Sequence, residues 1–142
     1  MIAEITQEQA WKIRHEVMWP DKPFDYIKVD GDDHATHYGL FINSKLTSVV
    51  SLFIDNEEAQ FRKFATITKE QNKGYGSRLL QHTLKQAELA GARRIWCNAR
   101  TNKRAFYHKF GLEETDTRFS KGGKEYVIME KQIAAETKWL KD

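Results

Sequence analysis

The chain has little of what marks several large protein classes. It carries one cysteine, Cys97, among 142 residues. An internal disulfide is therefore excluded, and no Cys/His framework for structural zinc exists. Proline occurs twice, and neither a Pro/Gly-rich linker nor a repeat nor a low-complexity tract interrupts the chain. No apolar run is long enough to span a bilayer, and Met1-Ile2-Ala3-Glu4-Ile5 lacks the basic-then-apolar pattern of a secretory leader. These absences predict a cytoplasmic protein with no membrane partner. Charge of one sign is scarce as well. The 23 Lys and Arg against 20 Asp and Glu leave a formal charge of +3, and the basic residues are scattered, with only pairs such as Arg62-Lys63 and Lys103-Arg104. A nucleic-acid surface gathers its cations on one face, so no nucleic-acid partner is expected. The mild positive bias suits a small polyanionic ligand.

Enough apolar residues are present for a real core: 40% of the chain, including four Trp, five Tyr and eight Phe. The length fits one domain over 1–142. Ile2–Ile5 reads as a short strand. Thr6-Gln7-Glu8-Gln9 is a capping-box pattern opening an amphipathic helix through Met18, which Pro20 and Pro23 end. Three strands follow at Thr36–Ile42, Leu46–Ile54 and Ala59–Thr68, joined by short turns and hence antiparallel neighbours. From Gly74 to Ala90 the period becomes helical, with Leu79, Leu80, Thr83, Leu84 and Ala87 on or beside one face. A strand at Arg94–Asn98, a short helix at Lys103–Phe110 and a hairpin across Lys121-Gly122-Gly123 complete a mixed α/β chain. The tail over 132–142 reads as helical or frayed.

The chemistry centres on Gln71-Asn72-Lys73-Gly74-Tyr75-Gly76-Ser77, where a hydrophobic strand passes into a helix. A helix start leaves backbone N–H groups unpaired at its positive end, and glycine lets an anion come close. A pyrophosphate is the natural guest. A P-loop would close on Gly-Lys-Ser/Thr, whereas this loop closes on Gly76-Ser77-Arg78. A dinucleotide fingerprint would need a third glycine near Leu79 and an acid about 20 residues on. The later region reads Ile95-Trp96-Cys97-Asn98, so both of those readings fail.

Gln71-x-x-Gly74-x-Gly76, with Phe106-Tyr107-x-Lys109-Phe110-Gly111-Leu112 about 30 residues later, resembles the GCN5-related N-acetyltransferases (GNAT). Leu112 stands where that family more commonly has Phe. The resemblance covers nearly the whole chain. It implies a mostly antiparallel central sheet, splayed between the fourth and fifth strands, with helices on both faces. It also implies acetyl-CoA as cosubstrate and a primary amine, on a small molecule or peptide, as acceptor, with direct transfer in a ternary complex. By the same resemblance, Phe64, Ala65, Thr66 and Ile67 form the strand edge for pantetheine. Gln71, Asn72, Lys73, Gly74, Tyr75, Gly76 and Ser77 then cradle the pyrophosphate. The alternative reading is an acyl-CoA-binding sensor or interaction module that does not turn over.

Tyr107 is the candidate acid that protonates the departing thiolate, against a bland reading in which it packs the helix. Asn98 and Asn102 are cofactor-side candidates, although Asn102 would equally serve as a helix N-cap. Arg14, Trp19, His37 and Arg62 are substrate-side candidates; the bland readings are core packing for Trp19, an ordinary strand histidine for His37 and an outward strand charge for Arg62. An arginine in the pocket would favour an anionic acceptor. His34-x-x-His37 beside Asp32-Asp33 invites a metal reading. Neither HExxH nor a zinc spacing is present, so no metal is expected. Cys97, mid-strand in an apolar setting, reads as inert. Aromatics in the final hairpin and Trp139 leave a homodimer open.

Overall fold

Thr6 starts the first helix as the sequence predicts. Its hydroxyl accepts from the Gln9 N–H at 3.1 Å, and the Gln9 side chain accepts from the Thr6 N–H at 2.9 Å. Two donors orphaned at the helix start are thus satisfied reciprocally, and α1 runs Gln7–Met18. A computed structural model describes residues 1–133 of the chain. Gln132 ends the last strand; the rest of the expected tail, with Trp139, lies outside the described residues apart from Ile133.

Seven strands follow the sequence pattern: β1 Ile2–Ile5, β2 Thr36–Ile42, β3 Lys45–Asp55, β4 Glu58–Thr66, β5 Arg94–Arg100, β6 Glu113–Lys121 and β7 Lys124–Gln132. They form one sheet in the order β1-β2-β3-β4-β5-β7-β6. The pairs β1–β2, β2–β3, β5–β7 and β6–β7 are antiparallel. The β4–β5 pair is parallel, with Glu58–Gln60 opposite Arg94–Trp96. At the β2–β3 turn Asn43 and Ser44 both have positive φ, 51° and 66°. That geometry matches the twist of the strands it joins. Helix α2 spans Tyr75–Leu89 and α3 spans Arg104–His108. The latter is shorter than the expected Lys103–Phe110, because a 3₁₀ turn occupies Thr101–Lys103 and the chain turns out of the helix at Gly111. There the Gly111 and Leu112 N–H groups close back on the His108 and Tyr107 carbonyls at 3.0 and 3.3 Å.

The chain forms two compact units, residues 1–53 with 61–86 and residues 54–60 with 87–133. In the first, Ile13 of α1 packs on Val49, Ala65 and Ile67. These residues define one face of β3 and β4, together with Ser51 and Phe53, two and four residues beyond Val49. The opposite face carries Ser48, Phe64 and Thr66. The Ser48 and Thr66 hydroxyls lie 2.8 Å apart, and Phe64 and Thr66 lie beside Gly76 of α2.

Strict alternation would put Arg62 on the face of Phe64 and Thr66. Instead its guanidinium lies over the Phe53 ring, at 5.8 Å, on the α1 face with Ala65. Lys63 between them has φ 56°. A left-handed residue inside a strand adds one step to the alternation and kinks the backbone, the effect of a β-bulge.

In the second unit, Ile95, Cys97 and Ala99 of β5 are buried, as are Leu112 and Val127 and Met129 of β7. Phe119 and Tyr126, the aromatics of the final hairpin, stack with centroids 5.2 Å apart.

Candidate functional site

The loop singled out in the sequence leaves the end of β4 through a 3₁₀ turn at Thr68–Glu70 and enters α2 at Tyr75. Its two glycines act for different reasons. Gly74 has φ 84°, a conformation open to glycine at no steric cost. Gly76 has no such need. A Cβ there would stand 3.0 Å from the end of the Phe64 ring and 3.5 Å from Thr66 Oγ1. The second glycine keeps room beside β4, and a side chain would fill that room.

The first bond within α2 runs from the Arg78 N–H to the Gly74 carbonyl at 3.1 Å. A helix has no partner of its own for the N–H groups of its opening turn, which here begins at Tyr75-Gly76-Ser77. No acidic side chain lies in that turn, so the turn itself supplies no carboxylate to those donors. The donor set and the space at Gly76 fit a phosphate-bearing cosubstrate.

Two side chains of the loop are occupied by the protein itself. Gln71 Nε2 donates to the Thr66 carbonyl at 3.0 Å and ties the loop to the strand end. Lys73 Nζ donates to Glu70 at 3.2 Å, which offsets part of the charge it would offer a phosphate. Along the β4 edge, the Ile67 N–H donates to the Thr47 carbonyl of β3 at 2.9 Å, so that donor faces β3. Strand alternation turns the backbone groups of Thr66 to the opposite side, where its carbonyl takes Gln71.

Arg14 and His37, both read as substrate-side candidates, lie in a buried polar network. Arg14 Nη1 and Nη2 donate to the two Asp32 oxygens at 2.8 and 2.9 Å, to the Ile27 carbonyl at 3.0 Å and to Ser51 Oγ at 2.8 Å. Trp11 Nε1 and the Val29 N–H also donate to Asp32, each at 2.9 Å. His37 Nε2 lies 2.8 Å from the Asp32 carbonyl. A carbonyl only accepts, so Nε2 carries the proton. Nδ1 of the neutral ring then accepts from the Ser51 hydroxyl at 2.7 Å. Arg14 is 0% and His37 4% exposed. Both are buried, and both ring nitrogens of His37 are engaged. Burial raises the Asp32 carboxyl, but hydrogen bonds from Arg14, Trp11 and Val29 with the Arg14 charge outweigh it and hold Asp32 at about 2. Sequence reasoning saw Asp32 only beside the histidines, in a metal reading, and missed Ser51 and Trp11. Arg14 with Asp32 is a long-range pair, and nothing local announces it.

Trp19 is half-buried at the end of α1, edge-on to Tyr26 at 5.2 Å between centroids. Asn98 is exposed on β5. Asn102 is exposed within the 3₁₀ turn, and α3 has no side-chain cap. Tyr107 lies in α3. Burial pushes its phenol well above the ordinary value, and the nearby Cys97 adds to the rise. Cys97 is itself buried, with its thiol pushed up to about 12. A thiol so protonated at neutral pH is a poor nucleophile. Cys97→Ala is expected to keep acetyl transfer within about threefold of the parent; complete loss of turnover in a folded Cys97→Ala protein, read by thiol release, would overturn direct transfer.

Comparison with known proteins agrees with this arrangement. The family model described as the acetyltransferase (GNAT) domain matches residues 1–133. The Bacillus subtilis N-acetyltransferase YitI, whose own activity is uncharacterized, is 27% identical over 143 residues, covering 93% of this chain and 95% of that protein. A Lactobacillus plantarum structure provisionally placed among the N-acetyltransferases superposes with a TM-score of 0.82 at 19% identity, over 94% of this chain and 99% of that one. A GNAT family acetyltransferase from Elizabethkingia anophelis, with acetyl-CoA bound, gives 0.75 at 16% identity, over 94% and 97%. The strand order with its one parallel pair, the glycine-bearing entry to α2 and a family match across every described residue lead to one conclusion: the chain belongs to the GNAT acetyltransferase family.

Proposed function

We propose that this protein is an acetyl-CoA-dependent N-acetyltransferase that passes the acetyl group directly to a primary amine. The observation that carries the reading is the start of α2. There a helix N-terminus without an acidic side chain in its first turn adjoins a glycine whose Cβ would meet Phe64. The N–H groups from Asn72 to Ser77 hold the pyrophosphate, and the β4 edge at Phe64 to Thr66 takes the pantetheine amides. The acetyl-CoA bound to the related Elizabethkingia acetyltransferase supports the choice of cosubstrate.

Acetyl-CoA supplies an activated thioester and a thiolate leaving group. The residues of the chain position and stabilise. The left-handed Lys63 turns the backbone just before Phe64, and the backbone N–H of Phe64 serves the oxyanion, since main-chain donors are already fixed in place. Tyr107 donates to the departing sulfur. Its raised pKa keeps the phenol protonated across the working pH range, so it is in the donating form whenever substrate binds. The His37 ring nitrogens are engaged, and Glu57 and Glu58 pair with Arg93 and Arg94 at 3.2 and 3.1 Å. The reading assigns the general base to none of these three.

Tyr107→Phe is expected to lower kcat by about 10²-fold while leaving the acetyl-CoA Kd within twofold. Thiol release and calorimetry read the two effects separately. An unchanged kcat across pH would remove Tyr107 from the mechanism. The reading as a whole is tested by calorimetric titration with acetyl-CoA, ATP and NADH. Selective binding of acetyl-CoA is expected, and its absence would overturn the proposed function.

A further inference from the structure

Arg62 differs in its charge balance from Arg94 and Arg118 of the strands and from Arg14 of α1. Arg94 is neutralised by Glu58 and Glu130 at 3.1 and 2.6 Å, Arg14 by Asp32, and Arg118 by Glu114 at 3.4 Å. Arg62, half-buried, has no carboxylate within ion-pair reach among the described residues, and its guanidinium rests on the Phe53 ring. Its surroundings disfavour the charge: burial lowers its pKa, the Arg14 charge lowers it further, and the Asp32 charge partly opposes this. The same neighbourhood is short of acceptors, since Arg14 Nε is buried without a hydrogen-bond partner. A half-buried guanidinium without a counter-ion gains less from its surroundings than a paired one, and a fork of donors fits a carboxylate or phosphate.

The face on which Arg62 lies separates this feature from the cosubstrate loop. The bulge at Lys63 sends Arg62 to the α1 face with Phe53, whereas Gly76 and the start of α2 lie on the face of Phe64 and Thr66. An anion at Arg62 is therefore not the pyrophosphate.

We infer that Arg62 is a specificity-determining residue that binds an anionic group, carboxylate or phosphate, of the amine acceptor on the α1 face of β4. The inference rests on the acetyltransferase reading for the word acceptor, but the anion site stands on its own geometry. Phe53 serves as the platform that orients the guanidinium. Asp32, the nearby carboxylate, is engaged by both guanidinium nitrogens of Arg14 and so does not compensate Arg62 by a direct contact.

The test uses amine pairs that differ only in an anion: β-alanine with ethylamine, 4-aminobutyrate with propylamine, glutamate with glutamine, and O-phosphoethanolamine with ethanolamine. Each is titrated calorimetrically into the full chain with and without CoA, and each is assayed for thiol release with acetyl-CoA. At least one anionic member is expected to bind about tenfold to a hundredfold more tightly than its partner, the scale of charge-assisted hydrogen bonds. Whether that member is a carboxylate or the phosphate identifies the group. In Arg62→Gln, checked for an unchanged melting temperature, the preference is expected to fall below threefold, and Arg62→Lys is expected to restore only part of it. No preference in any pair, or a preference that persists in Arg62→Gln, overturns the inference. Anion preference without acetyl-CoA binding would instead overturn the acetyltransferase reading and leave the anion site standing.

Discussion

Gly76→Asp is expected to reduce acetyl-CoA affinity by about 10²- to 10⁴-fold while the protein stays folded. The Cβ alone would stand 3.0 Å from Phe64 Cζ, so the ring must shift by a few tenths of an ångström. The carboxylate would then lie at the positive end of α2, where it stabilises the helix and takes the donors that a pyrophosphate needs. Losing two charge-assisted bonds at about 1.5–3 kcal/mol each accounts for that magnitude. Gly76→Ala separates the two contributions. It adds the steric term without the charge and is expected to weaken binding by about tenfold or less. Gly74→Ala acts on the backbone instead, through a φ of 84°. Calorimetry against acetyl-CoA, with thermal melting as the control for folding, reads all three. Full affinity in Gly76→Asp would exclude the start of α2 as the phosphate site.

Asp32→Asn is expected to destabilise the fold by about 3–5 kcal/mol, the range for leaving a buried charge without its partner. Arg14 is 0% exposed and Asp32 4%, so solvent screens neither group. For a chain of this size that loss corresponds to a fall in Tm of roughly 10–15 °C. The double variant Arg14→Met with Asp32→Asn is expected to recover only part of it. The Met removes the unpaired charge, but Ser51 and the Ile27 carbonyl still lose donors. The pair also sets an acid limit. A carboxylate held at about 2 in the folded state, below its value in the unfolded chain, contributes stability that is complete above about pH 5. That contribution is lost as pH falls toward 2 and is worth roughly 2 kcal/mol for this shift. Urea midpoints measured between pH 7 and pH 2.5 are expected to fall less steeply in Asp32→Asn than in the parent. Identical slopes would remove Asp32 from the acid transition.

Much of the fold was legible because its signals are local. Thr6 with Gln9 announced α1 three residues apart. The apolar spacing from Leu79 to Ala87 announced the buried face of α2, and all five residues it singled out are buried. The short turns at Asn43-Ser44 and Asn56-Glu57 announced the β2–β3–β4 run. Strand ends moved by one or two residues because sheet partners extend pairing past the periodic core, as at Arg100 opposite Tyr126. The shortened α3 came from turn chemistry at Thr101–Lys103 that the periodicity did not reveal.

The site was legible only in part, and the reason is again separation in sequence. The loop Gln71–Ser77 is one segment, so residue types and spacing were enough to identify an anion cradle and, by resemblance, its family. The environment of each side chain was not. Arg14 and His37 read as substrate-side candidates, and the sequence did not show that Asp32, Ser51 and the Ile27 carbonyl enclose the one or that Ser51 and the Asp32 carbonyl engage the other's ring nitrogens. That the Gln71 amide ties the loop to the Thr66 carbonyl was not visible in its spacing. What the sequence by itself determined was the order of elements, the caps and turns, and the glycine-bearing start of α2, because each depends on residues within a few positions of one another. Only the tertiary structure decided which charges are neutralised and which side of the sheet each one faces. A left-handed Lys63 leaves no mark on residue type, yet it sends Arg62 to the α1 face, where Asp32 is already engaged by Arg14.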